Sequence, residues 1–78
     1  MSARLVLYGR ESCHLCDEAR AVLERIGVAF EEIDIETDDA LLRRYLERIP
    51  VVALDGEDLY DFFVDEADLR ARVGSDGP

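Results

Sequence analysis

Cys13 and Cys16 are the two cysteines of the chain, and two residues separate them. Residues three apart on a helix share one face, so the two sulfurs could close a small disulfide ring if this segment is helical. Ser12 is a favourable helix N-cap residue, which predicts that Cys13 is the first helical residue. There the sulfur would meet unpaired N–H groups and the positive end of the helix, which favour the nucleophilic thiolate. The pair therefore predicts thiol–disulfide exchange, with Cys13 as the nucleophile and Cys16 as the resolving thiol.

Two other interpretations of the cysteine pair stay open. In a metal or iron–sulfur carrier, two thiolates fill half of a four-thiolate site, so a dimer or added thiol ligands would be required, and His14 could contribute. In a non-catalytic interaction domain the fold is kept but the thiol is no more reactive than a free cysteine.

Charged neighbours of Cys13 act in opposite directions on the thiolate. Arg10 and a charged His14 would stabilise it, whereas three nearby acids would oppose it. These acids are Glu11, Asp17 and Glu18. His14 either tunes the thiolate or faces solvent, and the sequence leaves this choice open.

Short runs rich in apolar and β-branched residues predict strands before and after the cysteine pair. They cover residues 4–8, 28–35 and 51–54. Asp55-Gly56 is a strong tight-turn signal, so Leu59 and Tyr60 are expected to pair back antiparallel. Glu31-Glu32, two adjacent acids, suit an edge strand.

Apolar residues at helical spacing predict three helices. The first follows Ser12 and ends at Gly27. The second follows the capping residues Thr37-Asp38-Asp39 and extends to about Arg48 before Pro50, and the third starts near Asp65 and Asp68. The order is β-α-β-α-β-β-α, which predicts an α/β fold with a four-stranded mixed sheet and helices on its faces. We expect one domain over residues 1–74 and a flexible tail over residues 75–78.

Residues 7–16, together with Ile49-Pro50-Val51-Val52 and Asp55-Gly56, resemble the glutaredoxin-like proteins of the thioredoxin superfamily, and more closely a compact, uncharacterised subgroup. The resemblance covers roughly Arg4 to Val73 and implies a thioredoxin-like fold. It also implies a cis Pro50 beside the thiols, an Ile49 backbone that pairs with an extended substrate, and an Arg10 near the glutathione carboxylate.

Five residues make up the predicted substrate-binding set. They are Tyr8, Arg10, His14, Ile49 and Pro50. Tyr8 ends the first strand near the motif, where it either lines the substrate groove or packs in the core. Four other aromatic residues are expected in the core. They are Phe30, Tyr45, Phe62 and Phe63.

The chain departs from the glutaredoxin pattern at two places. His-Leu separates the cysteines where the family has Pro-Tyr, and Tyr60-Asp61 stands, by counting from Asp55-Gly56, where glutaredoxins carry Gly-Gly. Asp61 would repel glutathione, which is an anion. We therefore expect disulfide-containing proteins or low-molecular-weight thiols as substrates, glutathione or a dedicated reductase as reductant, and no bound cofactor or metal.

Charge and hydropathy restrict the partners further. The formal net charge is −10, and arginines interleaved with acids form no basic patch, which argues against nucleic acids and anionic membranes. No apolar run approaches the roughly 18 residues of a membrane span. The start of the sequence leads directly into a strand, so we expect a cytoplasmic monomer without a signal peptide.

Overall fold

Four strands form a single mixed sheet in the computed structural model, which describes residues 4–73. They are β1 (Leu5–Gly9), β2 (Glu31–Asp34), β3 (Val51–Leu54) and β4 (Glu57–Asp61). Their order in the sheet is β2-β1-β3-β4, with β1 parallel to β2 and antiparallel to β3. The predicted mixed sheet is confirmed, and so is the edge position of the acidic strand.

The hairpin between β3 and β4 turns at Asp55 and Gly56, whose φ angles are 52° and 89°. Two successive left-handed residues give the tight turn that matches the twist of paired strands. Tyr60 pairs back onto β3 as predicted, opposite Val52. The register shifts beyond this pair, and the next partners are Ala53 and Asp58. Leu59 is therefore an extra residue of a β-bulge and has no ladder partner of its own.

Three α-helices and one short 3₁₀ turn complete the chain. They are α1 (His14–Ile26), α2 (Asp39–Tyr45) and α3 (Glu66–Val73), with the 3₁₀ turn at Ile35–Thr37. Gly27 ends α1 in a left-handed conformation with φ 83°. A carboxylate caps each of the later helices: Asp38 Oδ1 accepts the Ala40 N–H at 2.8 Å, and Asp65 Oδ1 accepts the Asp68 N–H at 3.0 Å.

The predicted boundaries of the second strand and the second helix were wrong. The second strand covers Glu31–Asp34 and not residues 28–35, because its pairing with β1 starts at Val6 and Glu31 and the 3₁₀ turn begins at Ile35. The second helix ends at Tyr45 and not at Arg48, because the Arg48 N–H donates to the Tyr45 carbonyl at 2.8 Å and closes a tighter turn before Pro50.

Apolar side chains are buried on both faces of the sheet, because successive strand residues point to opposite sides. One cluster contains Leu5, Leu7, Ala19, Leu23, Val52 and Leu69, and the other contains Ile35, Tyr45 and Val51. The first lies beneath α1 and α3, and the second beneath α2. Helices thus cover both faces, as predicted. Within residues 4–73, none of the helices has the length and apolar character needed to cross a membrane.

The aromatic residues divide between core and surface. Tyr45 is buried and Phe30 packs against the first cluster, as expected. The prediction was wrong for Phe62 and Phe63, which are 44% and 69% exposed. Both follow the end of β4, where the chain bends at Phe62 with φ 67°, so the period of the strand no longer directs their rings to the core.

Candidate active site

One end of the sheet brings together the segments that carry the predicted site. Tyr8 in β1 pairs with Val51 in β3, and Val51 pairs with Asp61 in β4. The loop to Cys13 follows β1, and Pro50 directly precedes Val51. The Phe62 N–H donates to the Pro50 carbonyl at 2.8 Å and ties the end of β4 to the loop before β3.

Cys13 is the N-cap residue of α1, with φ −114° and ψ 111°. Its Sγ accepts the backbone N–H of Cys16 at 3.1 Å, so the sulfur itself occupies the capping position. Ser12 was predicted as the cap, and this was wrong. Ser12 adopts a left-handed conformation with φ 60° in the turn that leads from β1 to the helix, so the cap falls one residue later. The shift brings the Cys13 sulfur into direct contact with a helix N–H.

The two cysteines are joined as a disulfide, with their Cα atoms 5.2 Å apart. Cys16 is fully buried, whereas Cys13 is half-buried. Another molecule that exchanges with this disulfide can therefore reach Cys13 more easily than Cys16.

Gly9, the last residue of β1, packs directly against Cys16. A Cβ atom at this position would lie 3.0 Å from Cys16 Sγ and 3.2 Å from Cys16 Cβ. The strand predicted over residues 4–8 stops one residue short of Gly9, and this contact was not predicted. A glycine directly after a buried apolar run is the signal that could have found it, because such glycines often mark a close approach to the backbone.

Arg10 and His14, two predicted substrate-binding residues, are each directed toward a carboxylate. Arg10 Nη2 lies 2.5 Å from Glu36 Oε2, and His14 Nε2 lies 2.8 Å from Glu18 Oε2. The His14 side chain is 84% exposed, which agrees with the solvent-facing alternative.

Tyr8 is partly buried and packs against the core. Its ring stacks on that of Tyr45 with 4.6 Å between the centroids, and Tyr8 and Ile49 each pack against the cluster beneath α2. Pro50 is fully buried next to these residues, and the peptide bond between Ile49 and Pro50 is cis.

Arg48 and Asp61 form an ion pair that the sequence did not indicate. Arg48 Nε and Nη2 each donate to a carboxylate oxygen of Asp61 at 3.0 Å. These hydrogen bonds hold the pKa of Asp61 below its ordinary value. Arg48 also donates to Asp58, which accepts the Tyr45 hydroxyl at 3.1 Å. The negative charge that was expected to repel glutathione is therefore compensated by a neighbouring cation.

The position that favours glycine after the hairpin is Phe62 and not Tyr60 or Asp61. Tyr60 and Asp61 both lie within β4, whereas Phe62 has the left-handed φ of 67°. The Tyr60 hydroxyl donates to Asp68, and burial, with this contact, raises the pKa of Tyr60 to about 12. Tyr60 thus connects β4 to α3.

In the part of the chain that the structure describes, no group of three or more His, Cys, Asp or Glu side chains is arranged to hold a metal ion. The motif itself offers a cluster the two thiolates, with His14 beside them in the chain. An iron–sulfur cluster there would need further ligands from outside the motif.

Comparisons with known proteins agree with this geometry. The sequence model of the family described as Glutaredoxin-like domain (DUF836) matches residues 4–74. A search of curated protein sequences finds no match. Among solved structures, XcR50 from X. campestris is 38% identical with a TM-score of 0.77, over 95% of this chain and 99% of that one.

Two further structures extend the likeness. Ne2328 from Nitrosomonas europaea is 32% identical with a TM-score of 0.73, over 94% of this chain and 93% of that one. The glutaredoxin-like protein NrdH-redoxin from Escherichia coli is 26% identical with a TM-score of 0.65, over 85% and 92% of the two chains. The fold is thus the thioredoxin-like α/β fold that the element order predicts, and its two-cysteine motif supports a redox role in general.

Proposed function

Because the chain belongs to the glutaredoxin-like domain family, we propose that it is a thiol–disulfide oxidoreductase in which Cys13 is the nucleophile and Cys16 the resolving thiol. The observation that carries the proposal is the asymmetry of the pair. Cys13 is half-buried and accepts a helix N–H at its sulfur, whereas Cys16 lies fully buried behind it. A hydrogen bond to the sulfur favours the thiolate over the thiol.

The proposed reaction is exchange of one disulfide for another. The Cys13 thiolate attacks one sulfur of the substrate, breaks the substrate disulfide and forms a mixed disulfide, and the other substrate sulfur leaves as a thiolate. Cys16 loses its proton and attacks Cys13, so the second substrate thiol is released. Cys13 and Cys16 are then joined as in the present structure, and two electrons have passed to the substrate.

A reductant must return the pair to its dithiol form. We propose a low-molecular-weight thiol such as glutathione or a dedicated reductase, and the pairing of Asp61 with Arg48 removes one objection to the anionic thiol. NrdH-redoxin is described as glutaredoxin-like with a thioredoxin-like activity profile, which supports testing both sources. Of the predicted substrate-binding residues, Ile49 and Pro50 lie at the sheet end where β1 leads to the thiols.

Two single variants test the assignment of roles. The reduced protein is mixed with a small neutral disulfide, and the products are followed by intact mass and by release of thiol. We expect Cys13→Ser to give no adduct and no turnover, and Cys16→Ser to accumulate a mixed disulfide on Cys13. An active Cys13→Ser protein, or an adduct on Cys16 in the wild type, would reject the proposal.

A further inference from the structure

Phe62 and Phe63 form an exposed aromatic pair next to the motif. Among residues 4–73, the exposed large hydrophobic side chains are Phe62 at 44%, Phe63 at 69% and Leu46 at 43%. Two adjacent exposed phenylalanines are a concentration of apolar surface that single scattered residues do not give.

The aromatic pair borders a groove that reaches into the cysteine motif. The groove has a volume of about 100 Å³. It is lined by Leu15, Glu18, Ala19, Val22, Phe62, Phe63 and Val64. Leu15 stands between the two cysteines in the chain, so a polypeptide bonded to Cys13 has this apolar surface within the same motif. Because the groove adjoins the cysteine pair, we connect it with the binding of substrate and not with a function elsewhere on the molecule.

Backbone contacts hold the aromatic pair in place. The Phe62 N–H donates to the Pro50 carbonyl at 2.8 Å, and the Phe63 N–H donates to the Asp61 carbonyl at 2.6 Å. Phe62 keeps a φ of 67°, a conformation that costs a bulky residue energy and persists where the surroundings fix it. The rings are therefore presented on a fixed bend at the same end of the sheet as the loop to Cys13.

The charge around the groove selects among apolar ligands. Glu18 is the charged residue in its lining, Asp65 follows Val64 and is exposed, and the chain as a whole carries −10. An apolar groove with one carboxylate in its lining and a second next to it in the chain suits a segment that combines an apolar side chain with a neutral or basic one. A small anion has neither the apolar area nor the charge to match it.

We propose that the preferred substrates are disulfide-bearing polypeptide segments with an apolar residue beside the half-cystine and neutral or basic residues around it. Phe63 and Phe62 are the specificity-determining residues. This inference rests on the proposed oxidoreductase function and names its substrate class. During exchange the apolar side chain of the substrate occupies the groove while its sulfur is bonded to Cys13.

The test uses three disulfides and two matched variants. The disulfides are a basic peptide pair with leucine next to the cysteine, the same pair with serine in place of leucine, and a small neutral disulfide, each with dithiothreitol as reductant. Phe63→Ala removes the most exposed ring, and Leu46→Ala removes an exposed apolar side chain from a different surface, on the turn after α2. Phe63→Leu restores apolar area without the ring.

For Phe63→Ala we expect kcat/KM on the leucine peptide to fall about tenfold, because that is the effect of losing roughly half the burial energy of a phenylalanine. The kcat/KM of Phe63→Ala on the serine peptide and on the small disulfide should equal that of the wild type. Leu46→Ala should keep the wild-type kcat/KM on the leucine peptide, and Phe63→Leu should recover most of the loss. An unchanged kcat/KM on the leucine peptide, or an equal fall on all three substrates, would overturn the inference. If the wild type reduces the small disulfide without preferring leucine, only the inference fails; if it reduces none of the three, the proposed function fails as well.

Discussion

The surroundings of the two sulfurs give a physical reason for their different proposed roles. Cys13 accepts the Cys16 N–H at its own sulfur, and this bond is available because the Cys13 side chain caps the helix. Cys16 is held against Gly9, where the backbone leaves no room for a side chain. In the proposed mechanism, the more accessible Cys13 sulfur meets the substrate and the buried Cys16 sulfur resolves the mixed disulfide.

Gly9→Ala tests how closely Cys16 is packed. The added Cβ would meet Cys16 Sγ at 3.0 Å, and overpacking of a buried site typically costs about 1–3 kcal/mol. We expect the free energy of unfolding in urea to fall by that amount in the reduced protein.

The double variant Gly9→Ala/Cys16→Ala supplies the control for this clash. Removing the sulfur relieves the closest contact, so the double variant should lose less stability than the two single variants added together. Strict additivity would show that the contact with the sulfur does not limit position 9.

The conformation of Phe62 makes a second prediction about a single residue. At a left-handed φ a side chain costs roughly 1–2 kcal/mol, whereas elsewhere glycine is the less stable choice by roughly 0.5–1 kcal/mol. We therefore expect Phe62→Gly to be more stable than Phe62→Ala in urea denaturation. The neighbouring pair Phe63→Gly and Phe63→Ala should show the usual order, and the same order at both positions would contradict the assigned backbone.

Residue types revealed the chemistry of the motif but not its local geometry. The cysteine spacing indicated a redox pair, yet Ser12 was the expected cap because serine caps helices well. The turn after Gly9 requires a left-handed residue, and this requirement moved the cap to Cys13. The capping propensity of a single residue contains no information on the backbone conformation that the preceding turn requires.

Contacts between elements fix the loop that carries Ile49 and Pro50. Arg48 lies in the turn after α2 and binds Asp61 at the end of β4, and Phe62 binds the Pro50 carbonyl. The loop is thereby tied to β4 from both sides. These contacts join residues that are 12 to 13 apart in sequence and carry no periodic signal, so the sequence did not predict them.

Arg48→Gln tests the tie between α2 and β4. The Arg48 hydrogen bonds hold the pKa of Asp61 down, so this carboxylate adds stability above its unfolded pKa and loses it as the pH falls through the lower folded value. We expect NMR titration to show a higher Asp61 pKa in Arg48→Gln, and urea unfolding to show a weaker loss of stability in acid.

Arg43→Gln is the control, because it removes the same charge from the exposed surface of α2. It should leave the Asp61 pKa near the wild-type value. Equal shifts in both variants would mean that long-range charge, and not the Arg48 contact, acts on Asp61.

The order of elements along the chain and the layers of the molecule followed from patterns that sequence does carry. Apolar runs, the Asp55-Gly56 turn and capping acids predicted the order of elements. The helix between β1 and β2 accounts for their parallel pairing. Element boundaries were less predictable. β2 begins where its partner strand begins to face it, which depends on packing and not on the residues of β2 alone.

The net charge of −10 acts on partners at the level of the whole molecule. Long-range attraction accelerates association with cationic partners and weakens as the Debye length falls from about 30 Å in 0.01 M salt to about 8 Å in 0.15 M salt. We expect kcat/KM for a basic disulfide peptide to fall over that range, whereas an uncharged peptide of the same length keeps its value. Identical salt profiles would show that charge does not guide the substrate.

The roles of the two thiols can be tested most directly by limited alkylation of the reduced wild-type protein with iodoacetamide, followed by peptide mapping of the modified site. Cys13, which is half-buried and caps the helix, should take up nearly all the label, and it should react faster than a free cysteine in a peptide at the same neutral pH. The buried Cys16 should be protected. Preferential labelling of Cys16, or a Cys13 no more reactive than the free cysteine, would contradict the proposed mechanism.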